Sequence, residues 1–113
     1  SEIVKLLKPD EDDYYILKPK HSAFYSTALD LLLKNFEAET LILTGVSTDI
    51  CILFSANDAY MRDFRLFIPN DCVAAVKPEA SRQTLKFVER VLKADTRDST
   101  EIDFDEILQK NSD

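Results

Sequence analysis

The chain has 113 residues, enough for one domain at most, and its 45% apolar and 31% charged residues match an ordinary globular protein. A net charge of −7 with scattered Lys and Arg repels phosphate backbones, which excludes a nucleic-acid partner. No apolar run approaches the ~20 residues that span a bilayer, which excludes a membrane-embedded one. Two cysteines, Cys51 and Cys72, show no metal-ligand spacing and read as reduced thiols of a cytoplasmic protein. A lone His21 cannot anchor a multi-histidine site, so no metal or other cofactor is expected.

Residues 1–13, "SEIVKLLKPDEDD", read as a short apolar stretch ending in an acidic turn. "YYIL" at 14–17 reads as a short buried strand, stopped by Lys18-Pro19. Ser26 or Thr27 is placed to cap a helix whose apolar face is Leu29, Leu32, Leu33 and Phe36. "TLILTGV" at 40–46 is a near-continuous β-rich run, the pattern of a parallel strand covered on both faces. A second helix is predicted from about Cys51, with Ile52, Leu53, Ala56, Ala59 and Tyr60 turned inward. "RLFI" at 65–68 is a further strand, predicted to lie parallel and adjacent to 40–46. Pro78 opens a third helix at the favoured first-turn position, with Leu85, Val88, Val91 and Leu92 as its buried stripe. "STEIDFDEIL" reads as an edge strand running into a last helical turn. Strands alternating with helices predict an α/β fold, a three-layer sandwich around a mainly parallel, Rossmann-like sheet.

The order strand, "GVSTDIC", helix puts Cys51 at a helix N-terminus just beyond the carboxyl end of a central strand. The helix dipole and its free N–H groups favour the thiolate there, and open α/β sheets bind ligands at that end. Gly45 is the single glycine of the chain. A sharp backbone turn beneath a reactive group leaves little room for a Cβ, which is the expected reason for it. Cys72, in "NDCVAA", reads as a small buried core residue.

Taken together, "KPKHSAFYSTALDLLL", "LILTGVSTDICILFSANDAY" and "IPNDCVAA" resemble the isochorismatase-like cysteine hydrolases. That family includes nicotinamidases and N-carbamoylsarcosine amidases. The resemblance implies Cys51 as nucleophile and Lys18, four residues before the "S-A-F" serine, as the active-site lysine. It also implies a cis peptide bond between Val46 and Ser47, with the Ser47 and Cys51 N–H groups forming an oxyanion hole. Ser22, Phe24 and Thr27 read first as caps and core filler, with fixing the loop that carries Lys18 as the alternative, and Ser26 stands where relatives often have glycine. A small-molecule substrate and a homo-oligomeric assembly follow from the same likeness.

The family's third catalytic residue, an aspartate at the end of its first strand, has no match in this chain. Asp10 to Asp13 lie too close to Lys18 to supply it. Residues 1–113 are therefore expected to be the C-terminal portion of a single hydrolase domain, and any family metal ligands belong to the unmatched region. Function then divides between a cysteine hydrolase cleaving a C–N bond of a small amide or ureido compound and a catalytically inactive interaction or scaffold module. A redox pairing of Cys51 with Cys72 is disfavoured, because a helix and a strand separate them while a disulfide needs a Cα gap under ~7 Å.

Overall fold

Two short parallel ladders organise the chain in the computed structural model, which describes residues 2–112; Ser1 and Asp113 lie outside the described residues. The element order is α1 (Glu2–Leu6), α2 (Leu29–Asn35), β1 (Thr40–Ile42), β2 (Gly45–Val46), a π-helical turn (Thr48–Ile52), α3 (Leu53–Met61), β3 (Arg65–Phe67), β4 (Val73–Ala74), α4 (Pro78–Val91), a 3₁₀ turn (Ser99–Glu101) and α5 (Phe104–Ser112). β1 pairs in parallel with β3, Leu41 opposite Leu66, and the connection between them runs through α3. The parallel pairing and the crossover helix are those the sequence predicts.

The run 40–46 is not one strand. Leu43 N–H still donates to the Phe67 carbonyl, but Gly45 N–H donates to the Cys72 carbonyl, so the chain changes partner between them. Pro69 follows β3 and offers no N–H for a ladder. β2 then pairs in parallel with β4, Gly45 opposite Val73. A single parallel bridge from Phe67 to Asp95 adds a further edge beside β3.

The core is small and centred on α3. Ala56 and Ala59 are fully buried on its inner face, and Leu66, Ile68, Val88, Leu92 and Ala94 close around them. Two alanines at that spacing let the helix approach the sheet and α4 closely. Pro78 does open α4, and Thr84 and Val88 are its buried residues. Val91, expected inside, is 36% exposed because the helix turns it outward as its last residue.

Three local expectations are corrected. Residues 14–17 form no strand: Tyr14, Tyr15 and Leu17 are exposed, and strand hydrogen bonding needs a neighbour that none of the described residues supplies. α2 starts at Leu29, after Ala28, and Thr27 acts one residue earlier by accepting from Leu29 N–H at 3.3 Å. The tail is helical, not an edge strand, because Asp103 caps α5 by accepting from Glu106 N–H at 3.2 Å.

Asp71 ties the tail to the entrance of β4. Its carboxylate accepts from Ser99 N–H at 2.8 Å and from Ser99 Oγ–H at 2.6 Å. Those two bonds hold its pKa below the usual aspartate value. A depressed carboxylate contributes stability that is complete above the unfolded value of ~3.9 and is lost as pH falls through the lower folded value. Urea unfolding should therefore show the Asp71→Asn protein losing less stability than the wild type between about pH 5 and pH 2. Identical acid limbs would contradict this role.

Candidate active site

Cys51 sits in the π-helical turn that leads from β2 into α3, not in the first turn of an α-helix. The Ser47 carbonyl accepts from both Ile50 N–H and Ile52 N–H, which widens the turn before Leu53 begins regular helix. Thr48, fully buried, anchors the turn by accepting from Ser81 Oγ–H of α4 at 2.8 Å. The Val46–Ser47 peptide bond is cis. Cys51 is half-buried and its thiol is free.

The loop that follows residue 17 crosses over this turn. Lys18 Nζ lies 3.4 Å from Cys51 Sγ and also donates to the Lys20 carbonyl at 3.4 Å. His21 Nδ1 lies 4.0 Å from the same sulfur, and its ring stacks on Phe54 with centroids 5.7 Å apart. Lys18 and Cys51, which the resemblance pairs, are thus brought together across the chain. From the sequence, His21 is weighed only as a metal ligand and is not placed beside Cys51. The signal for it was its place three residues after Lys18, inside the same quoted motif.

What holds the loop down is a polar stripe on α3. Ser22 Oγ–H donates to Asp58 Oδ2 at 2.5 Å, and Ala23 N–H donates to Ser55 Oγ at 2.9 Å. Ser22 Oγ also accepts from Phe24 N–H at 3.2 Å, and Thr27 Oγ1–H donates to the Ala23 carbonyl at 2.5 Å. Phe24 is buried in the core with Arg62 over its ring, and Arg62 in turn pairs with Asp58 at 3.3 Å. Cys51, Ser55, Asp58 and Arg62 follow one another at spacings of four, three and four, which is one face of a helix. Ser26 adopts φ +51°, the left-handed conformation expected of glycine there, so the turn keeps its shape with serine.

Two further expectations are corrected. Cys72 is half-buried rather than core-packed, with its thiol 3.7 Å from Asp71 Oδ1. A Cβ built on Gly45 meets nothing within 4 Å, so crowding does not require the glycine; its φ of +118° does. Among the described residues, no group of three or more His, Cys, Asp or Glu side chains is placed to hold a metal ion.

Residues 1–99 match the isochorismatase domain. An isochorismatase family protein of Bacillus subtilis (strain 168), YaaI, is 44% identical over 95 residues, which is 84% of this chain and 52% of that protein. The fold superposes on the nicotinamidase PncA from Bacillus subtilis with a TM-score of 0.77 and 32% identity, covering 87% of this chain and 54% of the other. N-carbamoylsarcosine amidase from Thermoplasma acidophilum gives 0.76 and 34%, covering 84% and 53%. The α/β fold read from the alternation of strands and helices is the fold of these structures. The chain spans about half the length of each.

Because φ alone demands Gly45, replacing it by alanine should cost about 1–3 kcal/mol of stability through backbone conformation. The shift of the urea midpoint measures this, and an unchanged midpoint would refute it.

Proposed function

The chain belongs to the isochorismatase family, and from that premise we propose that it supplies the nucleophile of a cysteine hydrolase cleaving a C–N bond in a small amide or ureido compound. The observation that carries the proposal is the 3.4 Å approach of Lys18 Nζ to Cys51 Sγ between residues remote in sequence. An ammonium at that distance stabilises a thiolate, the form that attacks a carbonyl carbon.

The steps follow from the residues at the turn. The Cys51 thiolate adds to the substrate carbonyl, forming a C–S bond and placing charge on oxygen. The Ser47 and Cys51 backbone N–H groups receive that oxyanion, a contribution whose removal typically costs ~10²–10³ in rate. Collapse breaks the C–N bond, the nitrogen leaving as ammonia or an amine with the proton given up by the thiol, and the thioester left on Cys51 is cleaved by water to the acid and the free thiol. Lys18 holds both the sulfur and the reacting carbonyl.

Relatives named nicotinamidase and N-carbamoylsarcosine amidase support a substrate class of compact molecules with one exposed amide or ureido carbonyl. Cys51 favours this chemistry over vinyl-ether cleavage by true isochorismatases, which commonly lack the cysteine. The 113 residues are read as the C-terminal portion of one hydrolase domain, acting in the cytoplasm as a homo-oligomer. No helix among the described residues is long and apolar enough to cross a membrane. The rival reading, an inactive scaffold, draws on the unmatched aspartate.

Brief iodoacetamide treatment at neutral pH followed by peptide mapping separates the two. Cys51 should label much faster than Cys72, and Lys18→Ala should narrow the difference. Equal, slow labelling of both thiols would sink the hydrolase reading.

A further inference from the structure

We propose that Asp58 is the positioning residue of the Lys18–Cys51 pair: through Ser22 it fixes the loop that holds the lysine ammonium beside the thiol. The proposal rests on the hydrolase reading above and assigns within it what sets the approach of the two side chains.

Lys18 is exposed and lies in a segment that cannot place it unaided. Among the described residues, 14–21 form no helix or strand and make no backbone–backbone hydrogen bond. The first anchored residue after the lysine is Ser22, four positions on and buried. Pro19 lies between them, and its locked φ narrows the conformations that join the lysine to that anchor. Holding Ser22 therefore limits where the Lys18 ammonium can reach.

Asp58 supplies that hold. Its Oδ2 accepts from Ser22 Oγ–H at 2.5 Å and its Oδ1 from Arg62 Nη1 at 3.3 Å, so each carboxylate oxygen has its own partner. Arg62 Nη1 also donates to the Asp58 carbonyl at 2.9 Å, and Arg62 Nε pairs with Asp30 of α2 at 3.4 Å. The guanidinium lies 4.7 Å over the Phe24 ring, and Phe24 N–H returns to Ser22 Oγ at 3.2 Å. The contacts close a ring from Ser22 to Asp58, Arg62, Phe24 and back to Ser22. No member can turn away without breaking two of them.

The ring stands on α3, which continues directly from the turn carrying Cys51. Seven residues, about two helical turns, separate the thiol from the carboxylate. The loop that delivers the ammonium and the sulfur that meets it are thus referred to one rigid element. Ser55 ties the neighbouring Ala23 N–H to the same helix at 2.9 Å, but among the described residues Asp58 is the acceptor for the Ser22 hydroxyl.

The test is the rate of Cys51 alkylation by iodoacetamide at neutral pH, read by peptide mapping, with Cys72 on the same map reporting any loss of fold. Asp58→Ala and Ser22→Ala should each slow Cys51 about threefold or more, with Cys72 unchanged. Ser22→Thr restores the hydroxyl and should label within about twofold of the wild type. In a Lys18→Ala background, Asp58→Ala should change the Cys51 rate no further, because its effect passes through the lysine. A merely structural role would slow Cys51 equally in both backgrounds, and that result would overturn the proposal. Unchanged or faster Cys51 labelling in Asp58→Ala would do the same. Should Asp58→Ala fail to fold, Ser22→Ala in both backgrounds decides, since it removes the same bond by deleting one oxygen. Slowing by Lys18→Ala without slowing by Asp58→Ala or Ser22→Ala removes the positioning role alone, whereas equal, slow labelling of Cys51 and Cys72 in the wild type removes the hydrolase reading itself.

Discussion

The bonds from Ser22 to Asp58 and from Ala23 to Ser55 are the constraint on which the site depends. Without them the segment carrying Lys18 has no regular structure to hold it, since residues 14–18 form neither helix nor strand. With them, one end of the loop is fixed to the same helix that continues from Cys51. Lysine and thiol then sit in a common frame although 33 residues separate them. The cation over Phe24 and the Arg62–Asp58 pair brace the same junction from below.

That frame explains why α3 is built as it is. Its inner face is Ala56 and Ala59, small enough for close approach to the sheet, while its loop-facing stripe is polar. Ser55 is buried and Asp58 partly so, positions where an unpaired polar group would be costly. The loop's own N–H and O–H groups satisfy them. Structure and site therefore use the same bonds, and weakening the clamp should disturb both.

Much of this was legible in the sequence. Short β-rich apolar runs located β1 and β3, and helical periodicity located α3 and α4. Cys51 stood out by its place between strand and helix and Lys18 only by resemblance, and the fold brings the two side chains together. What failed were segments whose state depends on a partner or a cap. "YYIL" has strand composition, but composition does not supply a neighbouring ladder. "STEIDFDEIL" alternates like a strand, yet Asp103 followed three residues later by Glu106 is a helix-start signal that outweighs the alternation. The break between Ile42 and Gly45 was foreshadowed only by Pro69, on the other strand. The stripe Cys51, Ser55, Asp58, Arg62 is written at helical spacing, but polar residues at that spacing are equally the mark of a solvated helix face.

The proposed hydrolysis requires Cys51 to become covalently acylated. The direct measurement is rapid acid quenching of the protein during incubation with nicotinamide or an N-carbamoyl amino acid, followed by peptide mass mapping. The expected result is an acyl mass on the peptide containing Cys51, removed by hydroxylamine as a thioester is. Product formation with no adduct on that peptide, or an adduct on Cys72 instead, would contradict it.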